Sequence, residues 1–167
     1  MARIDIRSAT PGDVPLILQF IKELAEYEKL AHKVRATEEK LRATLFGERP
    51  AAESVIASLD GAPVGYALFF ANYSTWEARP GLYLEDLFVR PEARGNGIGR
   101  ELLEYLARLA VERDWARMEW CVLDWNEPSI AFYRRLGAEP LDDWTVFRVT
   151  GDSLARLARN LKRETGN

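Results

Sequence analysis

Apolar residues at Val14, Ile17, Leu18, Ile21, Leu24 and Ala25 recur at intervals of three and four, with Lys22, Glu23 and Glu26 on the opposite face. That spacing predicts an amphipathic helix. Thr10-Pro11-Gly12-Asp13 supplies an N-cap, a first-turn proline and an early acid at its start, and Tyr27-Glu28 closes it. Before it, Arg3 to Arg7 alternates as a short strand. A polar connector with His32 and Lys33 leads to Thr37-Glu38-Glu39, which caps a shorter helix that runs to Leu45 and stops at Gly47. The two helices are expected to form a hairpin.

Glu53 to Leu59 and Val64 to Tyr73 are apolar runs joined by Asp60-Gly61, a strong hairpin signal, and are predicted as antiparallel strands. A loop with Trp76, Arg79, Pro80 and Gly81 leads into a third strand, Leu82 to Val89, that carries Glu85 and Asp86 in a core context. Helical periodicity resumes at Glu101 and continues through Leu102, Leu103, Leu106, Leu109 and Ala110, followed by a strand from Met118 to Leu123. Another helix opens at Glu127 or Pro128 and ends at Gly137; a late strand, Val146 to Val149, precedes a terminal helix around Leu154 to Leu161. Nothing repetitive or linker-like divides the chain, so residues 1–167 are expected to be one domain.

Composition removes several functions from this α/β pattern. The 26 acidic residues outnumber the 23 Lys and Arg, leaving a net charge of −3 and no basic field for a phosphate backbone, so no nucleic-acid partner is expected. The longest nearly apolar run, Pro63 to Ala71, is short of the roughly 20 residues of a membrane span. Met1-Ala2-Arg3-Ile4-Asp5 shows no apolar signal region, so a cytoplasmic protein without membrane association is expected. One cysteine, Cys121, and one histidine, His32, supply neither a metal cluster nor a Ser-His or Cys-His relay, and no metal is expected. Cys121 reads as a buried small hydrophobe, His32 as solvated, and Trp115, Trp125 and Trp144 as core or interface aromatics.

The segment with most chemical content is Arg94-Gly95-Asn96-Gly97-Ile98-Gly99, between a strand and a helix. Backbone N–H groups at a helix start, backed by the helix dipole and beside an arginine, suit phosphate oxygens and imply a pyrophosphate-bearing ligand. An ordinary strand-to-helix turn would use glycine in the same way. The G-x-G-x-G spacing matches neither the dinucleotide fingerprint nor a phosphate loop ending in Lys-Ser/Thr.

This segment belongs to a longer series: Lys22 to Glu28, Tyr73-Ser74-Thr75-Trp76, Tyr83-Leu84-Glu85-Asp86, Arg94 to Gly99, and Asp124-Trp125-Asn126-Glu127-Pro128 through Phe132-Tyr133. In order and content it resembles the GNAT N-acetyltransferase superfamily, and within it the spermidine/spermine and thialysine (diamine) N-acetyltransferase family. The resemblance covers residues 1 to about 150 and implies a mixed, mostly antiparallel sheet whose central strands splay to admit acetyl-CoA, flanked by helices. It implies that the backbone of Leu87, Phe88 and Val89 meets the pantetheine amides. Arg94, Gly95, Asn96, Gly97, Ile98, Gly99 and Arg100 would hold the pyrophosphate, and Asn126, Glu127, Pro128, Ser129 and Arg135 would complete the coenzyme site. It also implies a homodimer.

Tyr133, by periodicity a core aromatic, becomes through the resemblance the acid that protonates the departing CoA sulfur, a transfer suited to a phenol of pKa about 10. The implied acceptor is a small primary amine, cationic at neutral pH, which must lose a proton before it attacks. Glu85 is assigned to that task and Asp86 to structure, since neighbours in a strand face opposite sides and cannot form a carboxylate pair. Tyr27 and Glu28 extend the acidic pocket, with Trp76, Glu119, Trp120 and Asp143 as further acceptor-site residues. Where polyamine-preferring members carry an aspartate, this chain has Ser74, which favours a compact diamine or thialysine-like acceptor over spermine. The competing readings are acetylation of a protein lysine or N-terminus, and a CoA-binding sensor without turnover.

Overall fold

Asp60 and Gly61 both adopt positive φ, 50° and 84°, as a tight hairpin turn requires, so the chain reverses there and two apolar runs pair antiparallel. In the computed structural model, which describes residues 2–164, those runs are β2 (Glu53–Leu59) and β3 (Ala62–Ser74). Together with β1 (Ile4–Ser8), β4 (Arg79–Val89) and β5 (Met118–Trp120) they form one sheet in the order β1-β2-β3-β4-β5. All neighbours are antiparallel except β4 and β5, which α3 (Ile98–Glu112) connects as a parallel crossover. Helices α1 (Val14–Tyr27) and α2 (Glu38–Phe46) lie between β1 and β2 in the chain, and the two pack on each other. These elements make one compact unit, Met1–Leu123; a second, Asp124–Asn167, holds α4 (Glu127–Arg135) and α5 (Gly151–Glu164). The mixed α/β class expected from the pattern is the one that forms.

Residues Pro11–Asp13 wind first as a 3-10 turn, in which Asp13 accepts the Thr10 N–H at 2.8 Å, and α1 starts one residue later, at Val14. Val14, Ile17 and Phe20 of α1 are wholly buried against Ile56, Tyr66 and Phe88 of the sheet and Leu41 and Leu45 of α2. Each such side chain contributes about 1.5 to 3 kcal/mol when removed from water. Strand alternation puts Ala57, Ala67 and Phe69 on the other face, and α3, which packs against β4, β3 and β1, buries Ile98, Leu102, Leu103, Leu106 and Ala110.

One irregularity governs the centre of the sheet. Leu68 pairs with Asp86 but Phe69 pairs with Leu84, so Glu85 is the extra residue of a β-bulge. Leu84 and Asp86, two positions apart, therefore stand opposite residues that face different sides. On its other edge β4 pairs with β5 only through Leu82, Tyr83 and Leu84. From Glu85 to Val89, no strand lies on that edge among the described residues.

Several expectations need correction. β4 begins at Arg79, because Arg79, Pro80 and Gly81 pair with Ser74, Tyr73 and Asn72. α3 begins at Ile98, three residues before Glu101, because Gly97 caps it. β5 stops at Trp120 instead of Leu123, since the β4 backbone that would pair with Cys121 onward has diverged at the bulge. Cys121 is accordingly exposed, not buried. The strand expected at Val146 to Val149 does not form; no sheet edge among the described residues receives it, and Phe147 is 89% exposed. Trp125 and Trp144 are exposed, which removes the core alternative for them and not the interface one, while Trp115 is half-buried beneath the Arg113 guanidinium, 5.0 Å from its ring centroid. His32 is exposed, as expected.

Candidate active site

Tyr66, on β3, is wholly buried, its ring stacked on Phe20 at 5.4 Å and 11°. Its hydroxyl donates to Oδ2 of Asp86, and the charges of Asp86, Glu28 and Glu85 all bear on that phenol. Burial first and those carboxylates second hold its pKa well above the ordinary tyrosine value. Burial raises Asp86 above the usual carboxylate range despite the Tyr66 bond, which acts the other way. Glu28, the residue capping the end of α1, is raised by burial and then by Asp86. Three acids from α1's end and the β4 bulge thus act on one buried phenol. The bulge suspends the strict alternation behind the expectation that Glu85 and Asp86 serve separate faces, and Asp86, expected to be structural, joins Glu85 and Glu28 around Tyr66. Tyr66 gave no signal of its own, since an aromatic in an apolar strand reads as core.

Beside this cluster, Tyr27 carries the Arg94 guanidinium 4.8 Å from its ring centroid, and Phe88 lies 5.9 Å from the same group. Arg94 Nε also donates to the Val89 carbonyl at 2.9 Å, so this arginine ties the end of β4 to the end of α1. Gly95 and Gly97 stand at φ +84° and +83°, and a Cβ on either would meet nothing within 4 Å. Their glycine identity follows from the left-handed backbone, with open space in front. The first N–H groups of α3 have no intrahelical acceptor, and Asn96 braces the loop through a 3.0 Å bond to the Ala93 carbonyl. Together with the uncovered edge of β4 at Leu87, Phe88 and Val89, this donor set fits the anionic pyrophosphate and the amide groups of a CoA thioester.

Of the other expected acceptor residues, Trp76 lies on the β3–β4 loop, 91% exposed, and Glu119 and Trp120 pair with Tyr83 and Leu84, next to the bulge. Ser74 is buried, its Oγ accepting the Glu77 N–H at 3.2 Å, so its hydroxyl serves the turn. Glu119 pairs with Arg117 and accepts from Asn72 Nδ2 at 3.3 Å, with half-buried Trp120 next to it on β5. Tyr83 Oη lies 3.1 Å from Cys121 Sγ; that contact and burial push the Tyr83 phenol up to about 12.

In the second unit, Asn126 is buried and caps α4 by accepting the Ser129 N–H at 3.4 Å, with Glu127 and Pro128 in the first turn. Tyr133 is half-buried, its ring 5.5 Å from that of Phe132, and Arg134 and Arg135 occupy the last turn. Asp143 is in an exposed turn.

Residues 18–138 match the acetyltransferase (GNAT) family, so this is an acyl-transfer enzyme, and the matched region runs across both units. The chain belongs to the GNAT family. It is 41% identical to the thialysine N-epsilon-acetyltransferase of Bos taurus, over 95% of this chain and 99% of that one. The L-ornithine N5-acetyltransferase of Arabidopsis thaliana is 33% identical, with 91% of this chain and 86% of that one covered. Among solved structures, an integron cassette protein from the mobile metagenome of V. cholerae superposes with a TM-score of 0.78 at 25% identity, covering 93% of this chain and 98% of the other.

Proposed function

We propose that this chain, folded as one domain, transfers the acetyl group of acetyl-CoA to a primary amine of a small diamine, polyamine or thialysine-like acceptor, by direct attack in a ternary complex. The observation that carries this is the convergence of Glu28, Glu85 and Asp86 on Tyr66 at the bulge where β4 leaves β5. A concentration of carboxylates attracts a cationic amine and can accept its proton, a combination that a CoA-binding sensor does not need. The named relatives, which act on thialysine and ornithine, support an amine of that size.

In this reading Leu87, Phe88 and Val89 offer backbone amides to the pantetheine arm. Gly95 to Arg100 hold the pyrophosphate, with Arg94 bracing the loop. Asn126 to Ser129 and Arg135 complete the coenzyme contacts. Bound there, acetyl-CoA supplies an activated acetyl thioester. Glu85 takes a proton from the acceptor's ammonium, freeing the nitrogen lone pair to form the C–N bond as the C–S bond breaks. Tyr133 supplies the proton that the departing sulfur requires and is reprotonated at the expense of the new amide nitrogen's surplus proton. Tyr27, Trp76, Glu119, Trp120 and Asp143 line the acceptor side, and Ser74 in place of a carboxylate favours compact acceptors. A homodimer in the cytoplasm belongs to the same proposal; the exposed Leu141, Trp144, Val146 and Phe147 support a second copy as their cover.

The test is CoA release from acetyl-CoA with thialysine, lysine, putrescine, spermidine, spermine and a lysine-containing peptide. Turnover of the compact free amines, exceeding that of spermine and the peptide, is expected. No turnover with any free amine would overturn the reading.

A further inference from the structure

Asp86 is held from one side only. Tyr66 donates to its Oδ2, and no further side-chain hydrogen bond or ion pair of Asp86 occurs among the described residues. Tyr66 itself has no freedom to look elsewhere: it is wholly buried, stacked on Phe20, in turn tilted against Phe88 at 6.1 Å. Above Phe20 lies the Arg90 guanidinium at 4.9 Å, fixed by Glu23 through bonds of 3.0 and 3.1 Å. A rigid column of side chains therefore aims one hydroxyl at one carboxylate, next to the residue the bulge inserts. The titratable groups that bear on Asp86 are Tyr66 from β3 and Glu28 from the end of α1, while Glu85, next to it on β4, bears on Tyr66.

Resting on the acetyltransferase reading above, we propose that Tyr66 is a positioning residue for the acceptor: its hydroxyl fixes the ionised Asp86 carboxylate so that Asp86 receives the acceptor's ammonium and presents it to Glu85. An ammonium carries three N–H donors and needs carboxylates in set directions. The two successive acids supply them because the bulge interrupts strand alternation. Without the Tyr66 bond, a buried carboxylate beside two other acids keeps its proton to higher pH and loses its orientation. Proton transfer itself stays with Glu85: the ammonium loses one proton, the carboxylate gains it, and Asp86 remains ionised throughout.

The experiment is Tyr66→Phe, which keeps the stacked ring and removes only the hydroxyl, with Asp86→Asn as its companion. For Tyr66→Phe, kcat/KM for the amine is expected to fall about tenfold at neutral pH through the amine KM, with the KM for acetyl-CoA unchanged. The acid limb of the kcat/KM profile is expected to move to higher pH, and the Asp86 side-chain carboxyl carbon-13 resonance to titrate at correspondingly higher pH. Asp86→Asn, which keeps an acceptor for the Tyr66 hydroxyl, should lose amine affinity, and the acid limb that remains, set by Glu85, should not move when Tyr66→Phe is added. A folded, active Tyr66→Phe variant with wild-type amine KM and pH profile would overturn the proposal and leave the acetyltransferase reading standing. A wild-type protein inactive on every free amine would overturn both.

Discussion

Arg7 grips Asp13 with two parallel bonds, 2.7 and 2.8 Å long, and so ties β1 to the turn that begins α1. Those bonds, with the Thr10 N–H in support, hold the Asp13 carboxyl down at about 2. A depressed acid stabilises the fold above its unfolded pKa, about 3.9, and loses that contribution as pH falls through the folded value. Because half of the Arg7 side chain is in water, the contribution is discounted to about 1 to 2 kcal/mol. Asp13→Asn should therefore lower urea stability by that amount at neutral pH, and the gap should close at about pH 2. An equal deficit at both pH values would count against the assignment.

Asp86 behaves in the opposite sense. Its folded pKa is raised by burial, so the protonated form is favoured by the fold, and stability is lost as pH rises through the folded value. Asp86→Asn is expected to raise the thermal midpoint at neutral pH while amine acetylation falls, with the stability difference from wild type shrinking in acid. Thermal unfolding and steady-state rates on the same samples check this, and a lowered midpoint would contradict it.

Tyr133→Phe removes the proposed proton donor to sulfur. Turnover should drop about 100-fold or more, with little change in acetyl-CoA affinity. Near-normal turnover would reassign Tyr133 to packing beside Phe132.

Glu85→Gln keeps the size of the side chain and removes its charge. The amine kcat/KM should fall and its dependence on pH should flatten, because the proton acceptor is gone. Unchanged amine kinetics across the pH range would exclude Glu85 from the acceptor site.

Gly97, the N-cap of α3, adopts φ +83° with open space where a Cβ would stand. Gly97→Ala therefore meets no clash but carries a left-handed backbone penalty of about 1 to 2 kcal/mol. The expected outcome is a small loss of stability and a larger rise in the acetyl-CoA KM, since the phosphate-facing N–H groups depend on this turn. A changed amine KM with unchanged acetyl-CoA KM would place the loop elsewhere in function.

Helix α1, the Asp60-Gly61 hairpin, α2 and its Thr37 cap, and the glycine turn before α3 were all legible in the sequence, because each depends on periodicity or on residues a few positions apart. The chain by itself also determined the acids and glycines available for chemistry. Tertiary structure alone decided how they are used. The bulge at Glu85 is a property of β3–β4 register, which no local pattern encodes, and it reverses the face assignment of the next residue. Tyr66 and Asp86 meet across 20 positions, a distance over which only the paired strands can bring them together. The same divergence ends β5 at Trp120 and exposes Cys121, and the apolar run at Val146 forms no strand because a strand needs a partner edge as well as a pattern.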